Sequence, residues 1–185
     1  MLTLFHDYTS PASAIAVARL QRLADEGLAV EFVGFEALGM DVALPPSLDV
    51  LAAIDELSAQ AAAEGIVLRR PSSLPPTARA HAVGDLADRH DLGASWRQVC
   101  YAAFWADGAD LDDPEVLAML AGTAGLDGTA VAAALVEPGF VASVRRAAGQ
   151  HRRNGVGGVP TILAHRTLIP GLLGEDDLRE LAAYS

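Results

Sequence analysis

The chain has 185 residues, 51% of them hydrophobic, and a net charge of −11. That balance excludes a disordered polymer, and it argues against nucleic acid and anionic membrane surfaces as partners, which both require basic patches. A single cysteine, Cys100, excludes an internal disulfide and a dithiol redox cycle within one chain.

Residues 2–8 (LTLFHDY) and 29–36 (AVEFVGFE) read as short strands. Between them Ile15, Ala18, Leu20 and Leu23 recur at helical spacing from Pro11 to Glu26, and Gly27 supplies a stop. A strand–helix–strand unit of this kind implies a parallel pair joined by a right-handed crossover. An alanine-rich, helical middle follows. Ser47 and Asp49 start a helix that runs to Glu64 before Gly65, and Pro75–Pro76–Thr77 opens one through Leu92, closed by Gly93. Ser95 begins the next, to Ala106. Asp113–Pro114–Glu115 is a strong start, with aspartate at the cap and proline at the first helical position. Asp127 and Pro138 punctuate two more helices, the last reaching Arg153 and carrying the only concentrated positive charge, at Arg145, Arg146, Arg152 and Arg153. After Gly155 the pattern returns to strand, a tight turn at His165–Arg166, and strand. A C-terminal helix follows, with carboxylates in its first turn as the helix dipole favours.

The start MLTLFHDY lacks the basic and apolar segments of a signal peptide, and no run approaches the ~18 apolar residues of a membrane span. A cytoplasmic location is expected.

The segment DYTSPAS resembles the D-x-x-C-P-x-C motif that opens the first helix of DsbA-like thioredoxin-fold proteins, with serine at both cysteine positions, Ser10 and Ser13. GVGGVPT is similar to that family's G-V-x-G-V-P-T segment, which implies a cis Pro160 facing the motif. YAAFWADGADLDDPEVLAMLAGTAGLD and RRPSSLPPTARAHAV resemble its helical insertion. The resemblance implies an α/β, thioredoxin-like fold formed by residues 1–46 and 150–185, interrupted by an all-helical insertion at 47–149. The nearest branches are FrnE-like proteins and the group of 2-hydroxychromene-2-carboxylate isomerase and kappa-class glutathione transferase. In that group a serine at the position of Ser10 holds a glutathione thiolate.

Disulfide exchange needs an attacking thiolate and a resolving thiol, and serine supplies neither. Ser10 has two readings: a cap of the helix begun by Pro11, or the catalytic hydroxyl that holds a small thiol at the helix N-terminus, where that thiol's pKa falls. Ser13, Val159, Pro160 and Leu172 are candidates for binding substrate or thiol, Val159 through its backbone N–H and C=O in the manner of strand addition. Ser13 is equally suited to supporting the helix, and Pro160 to kinking the chain. The group's asparagine before a Pro-Pro pair corresponds to Ala43, ahead of Leu44–Pro45–Pro46. Its Ser-Asp pair after a glycine corresponds to Leu172–Leu173 after Gly171. Without those polar anchors glutathione itself is disfavoured. The cofactor expected is at most a loosely bound low-molecular-weight thiol.

The histidines His6, His81, His90, His151 and His165 lack metal-ligand spacing. His6 reads as a structural residue or a general base, Asp7 as a turn or cap residue. Tyr8, Phe104 and Trp105 are core or an apolar wall between the two parts, and Cys100 is core packing. Two functions follow: an isomerase or transferase that uses a thiol to act on a small aromatic or conjugated substrate, or a non-catalytic binding or assembly protein using the cleft or a homodimer surface. An enzyme should turn Ser10 Oγ toward Pro160 in an enclosed pocket; a binder should use it as a cap. A third reading, redox chemistry through Cys100, requires that thiol to be exposed and acidic.

Overall fold

The computed structural model describes residues 1–184. Strand β1 (Leu2–His6) pairs in parallel with β2 (Val30–Gly34), joined by helix α1 (Pro11–Asp25). On its other side β1 runs antiparallel to β3 (Thr161–Ala164), which runs antiparallel to β4 (Thr167–Pro170), giving the order β2-β1-β3-β4. The β3–β4 turn is two residues long, and His165 (φ 49°) and Arg166 (φ 82°) both take left-handed backbone. Such a turn twists in the sense that flanking strands require.

All five residues of β1 are buried because both sheet faces are covered. Leu2 and Leu4 enter the main core with Leu20, Trp96 and Ile162, while Phe5, one step out of phase, packs with Phe35, Ala148 and Val156 on the opposite face.

The middle of the chain holds α2 (Leu48–Ala63), α3 (Ala78–Asp88), α4 (Gly93–Asp107), α5 (Pro114–Thr123), α6 (Gly128–Leu135) and α7 (Pro138–Arg153); α8 (Glu175–Ala183) closes the described chain. Three starts are capped by the side chains that the sequence offers: Ser47 accepts from the Val50 N–H at 3.3 Å, Asp113 from Glu115 at 2.8 Å, Asp127 from Thr129 at 2.9 Å.

The boundary between α3 and α4 differs from expectation. α3 ends at Asp88, and Gly93 opens α4 instead of closing α3. The left-handed residue there is Asp91 (φ 59°), and a Cβ on Gly93 would fall 1.6 Å from Asp88 Oδ1, the carboxylate that Arg97 holds at 2.9 Å. The glycine admits an ion pair. For Tyr8, Phe104 and Trp105 the core reading holds and the wall reading does not: each is at most 2% exposed and lies in the main core.

Candidate functional site

Register decides what meets at one end of the sheet. His6 pairs with Gly34, Phe5 with Thr161, and Thr161 with Pro170. The turn Asp7–Ser10, the segment Phe35–Ala37, the Val159–Pro160 peptide and Gly171–Leu172 therefore all leave the sheet at the same end. That end carries Ser10, Val159, Pro160 and Leu172.

Ser10 is the N-cap of α1, with extended backbone (φ −96°, ψ 118°), and its Oγ accepts from the Ser13 N–H at 3.1 Å. The accepted bond leaves the hydroxyl proton free, and no acceptor takes it among the described residues. Pro11 has no N–H, and the Ala12 N–H likewise has no partner among the described residues. The half-buried end of α1 thus presents an O–H and an N–H, both favouring a negative charge. Val159 is half-buried too, its N–H and C=O without partners among the described residues. The Val159–Pro160 bond is cis; Pro160 is buried, and its carbonyl accepts from the Gly171 N–H at 2.9 Å.

Ser13, placed by the sequence among the thiol-binding candidates, is 0% exposed, and its Oγ accepts from the Asp7 N–H at 3.4 Å. It fixes the turn and has no surface to offer a ligand. Leu172 is half-buried against the main core, while the carbonyl of Leu173 accepts from Arg19 at 2.8 Å.

Beneath this turn lies a buried polar cluster. His6 Nδ1 is 3.0 Å from the Tyr101 hydroxyl, which donates to the Asp7 carbonyl at 3.1 Å. Burial first, then His81 and Arg97, hold His6 well below the usual imidazole value; at 2% exposed and with Nδ1 on the Tyr101 hydroxyl, the ring is structural. Asp7 Oδ2 accepts from the Ala37 N–H at 2.7 Å and Oδ1 from Thr9 at 3.4 Å; His81 Nε2 stands 3.5 Å from Oδ1. Burial alone would raise the Asp7 carboxyl, but His81 and the Ala37 N–H outweigh it and hold it below the ordinary range. Asp7 therefore ties the end of β1 to the segment after β2. Glu36 behaves oppositely: burial, reinforced by Asp7, raises its carboxyl against the pull of Arg145. On α7, Arg145 reaches Asp41 at 2.5 Å and Arg152 donates to the Glu36 carbonyl, so part of the basic stripe anchors the segment beside the site.

His81 was visible in the sequence only as an isolated histidine. The signal that would have found its place is Gly34: a Cβ there would lie 2.4 Å from His81 Nδ1 and 2.8 Å from Cγ. Tyr8 stacks on the same imidazole, centroids 4.7 Å apart, so the ring has little room to retreat. Gly34→Ala is expected to destabilise the protein by about 1–3 kcal/mol through overpacking, read as a lower urea midpoint at unchanged m-value. A variant as stable as wild type would show that His81 moves freely.

Cys100 is 0% exposed, and burial pushes its thiol well above the ordinary value. Redox chemistry through this residue is thereby removed. Among the described residues no group of histidine, cysteine, aspartate and glutamate side chains could hold a metal ion, and no helix is long and apolar enough to cross a membrane.

The sequence model of the DSBA-like thioredoxin domain family matches residues 1–184. No curated protein matches the chain. Among solved structures, the chain is similar to a probable DsbA oxidoreductase from Streptomyces coelicolor (25% identity, covering 99% of this chain and 88% of that one, TM-score 0.85). It is also similar to 2-hydroxychromene-2-carboxylate isomerase (22% identity, 99% and 93%, TM-score 0.78) and to the cytosolic disulfide reductase DsbM from Pseudomonas aeruginosa with glutathione (23% identity, 99% and 96%, TM-score 0.64).

Proposed function

Because the chain belongs to the DSBA-like thioredoxin domain family yet carries serine at both reactive positions of its opening motif, we propose that it is a thiol-dependent isomerase or transferase of a small aromatic or conjugated substrate. The observation that carries this reading is the pair of free donors at the start of α1, the Ser10 hydroxyl and the Ala12 N–H. Serine cannot attack a disulfide, but a hydroxyl and an N–H at a helix N-terminus stabilise a thiolate brought by a small cofactor.

For isomerisation the steps balance without an oxidant. The thiolate adds to the β-carbon of a conjugated carbonyl compound, forming a C–S bond while the electron pair moves to the carbonyl oxygen. Rotation occurs about the new single bond, the enolate re-forms the double bond, and the thiolate leaves. Val159 would hold an extended part of substrate or thiol through its N–H and C=O, and Leu172 would supply apolar lining. The side chains at Ala43, Leu172 and Leu173 offer no charge pairing to glutathione, so the thiol is a smaller or less charged one. A cytoplasmic setting, where low-molecular-weight thiols stay reduced, fits this chemistry.

The test is thermal melting of wild type and Ser10→Ala against 2-mercaptoethanol, cysteamine, cysteine and glutathione, each with and without cinnamate. A thiol at a hundred times its dissociation constant should raise the melting temperature by about 5–10 °C, and Ser10→Ala should abolish the shift. If no thiol shifts the wild type, and Ser10→Ala merely loses ~1 kcal/mol, the serine is a cap alone.

That second outcome would favour a non-catalytic binding or assembly protein using the cleft or a dimer surface. A specific observation favours this alternative: Ser10 Oγ turns back to its own helix, and neither the cavity beside Arg79 and Arg145 nor the one along α1 and α4 is lined by Ser10 or Pro160.

A further inference from the structure

The half-open cavity along α1 and α4 has a volume of about 690 Å³, within the ~300–1,000 Å³ of small-molecule sites. It follows α1 from Ala14 to Asp25, beyond the turn that holds Ser10, and is also lined by the chain after α2 at Gly65–Val67. Alanines from both helices line it: Ala14 and Ala18 on α1, and Ala94, Ala102 and Ala106 on α4.

Small residues alone do not make a site, but Arg97 supplies an independent sign. This arginine lines the cavity, its side chain is only 8% exposed, and its Nε is buried without a hydrogen-bond partner among the described residues. Buried N–H groups are otherwise almost always satisfied. The remaining guanidinium nitrogens bond Asp88 at 2.9 Å and Gln21 at 3.4 Å, and one face lies 4.1 Å from the Phe32 ring centroid. Next to it Ser95 and Gln98 line the cavity with side chains that make no hydrogen bond among the described residues.

Except for Asp25, whose carboxylate accepts from Gln21 at 3.0 Å and has no cation partner among the described residues, the charges around the cavity are matched. Arg97 pairs with Asp88, and Arg22 pairs with Glu64, which also holds Arg19 at 2.7 Å. An anionic ligand would have to break one of these pairs and would meet the Asp25 carboxylate, whereas a neutral acceptor only completes the free donors.

We propose that this cavity binds a neutral, largely apolar small molecule carrying a carbonyl or hydroxyl oxygen, which accepts from Arg97 and Gln98 while its body lies along the alanines of α1 and α4. The site is separate from the Ser10 turn and does not depend on the reading given for it.

Titration with prodan, a neutral polarity-sensitive fluorophore with one ketone, tests this. Wild type should bind it saturably at one site with emission shifted to shorter wavelength. Ala102→Leu, on an exposed position of α4, should weaken binding at least roughly tenfold, as should Ala18→Leu, with melting temperature checked for each. Ser10→Ala should leave it unchanged. Anilinonaphthalene sulfonate, similar in size but anionic, should bind at least roughly tenfold more weakly than prodan. Absence of saturable prodan binding, binding that survives both leucine variants when they fold, or tighter binding of the anion would each overturn the proposal.

Discussion

Asp7→Ala is expected to lower the free energy of unfolding by about 3–5 kcal/mol, the range for removing one partner of a buried charged group. The carboxylate is 1% exposed and holds three things together: the Ala37 N–H at 2.7 Å, the Thr9 N–H at 3.4 Å, and His81 Nε2 at 3.5 Å. Truncation strands the buried Thr9 N–H, the Ala37 N–H and an imidazole in the space between β1, β2 and α3. Asp7→Asn should lose less, because a carboxamide oxygen still accepts from Ala37 and the side chain still fills the space beside His81. Chemical denaturation at neutral pH measures both. Equal losses for alanine and asparagine would mean that charge matters more than hydrogen bonding; a loss below ~1 kcal/mol for Asp7→Ala would remove the strut.

The pH dependence carries the sign. The folded-state pKa of Asp7 is depressed relative to about 3.9 for the unfolded chain. Its contribution is therefore present in full above the unfolded value and is lost as pH falls through the folded one. The difference in stability between wild type and Asp7→Ala should be flat at neutral and mildly acidic pH, then shrink below about pH 4. Glu36 works in the opposite direction, since its carboxyl is raised in the fold: its contribution is present at low pH and declines as pH rises through the folded pKa. The difference against Asp7→Ala removes only the part of that slope set by burial, because Asp7 itself helps raise Glu36.

What the sequence made legible and what it hid divide along the range of the interactions. β1, α1 and β2 follow from periodicity and from Gly27 (φ 104°), whose left-handed backbone ends the first helix. Asp113–Pro114 marks α5 because cap and proline act within a few residues. Ser10 was readable as a cap for the same reason: the bond to Ser13 spans three positions. The cluster under the turn was not readable, because His6 finds Tyr101 95 positions away and Asp7 finds His81 on α3, both inside the helical insertion. No local pattern announces such partners. Gly93 misled because glycine was taken as a terminator, when its lack of a side chain serves the Asp88–Arg97 pair and Asp91 makes the left-handed step. The burial of Ser13 was hidden by the same logic, since whether an i+3 serine faces solvent or the turn beneath depends on Asp7, not on the motif.

Restoring thiols should have a larger effect on chemistry than any deletion. In Ser10→Cys/Ser13→Cys an intrachain disulfide is expected to form in oxidising glutathione, where wild type forms none. Residues three apart at a helix start have Cβ atoms about 5–6 Å apart, close enough for small adjustments to reach the about 3.5–4.5 Å of a disulfide. The thiol at position 10 would inherit the place of the Ser10 hydroxyl beside the Ala12 N–H, and its pKa should fall to between about 3.5 and 7.5 rather than the ordinary 8.5. The thiol at position 13 would occupy a site that is 0% exposed and should react with Ellman's reagent far more slowly. Sulfur is a poorer acceptor for the Asp7 N–H than the serine oxygen, so Ser13→Cys alone should cost stability and Ser10→Cys alone should not require the turn to move. Thiolate absorbance against pH for Ser10→Cys is the decisive reading. A thiol that titrates near or above 8.5 would mean that the start of α1 does not stabilise a sulfur anion. The case for Ser10 as the holder of a small thiolate would then fail with it. A depressed value would show that the fold keeps the electrostatics of thiol chemistry while serine withholds the sulfur, leaving the reactive atom to be supplied by a ligand.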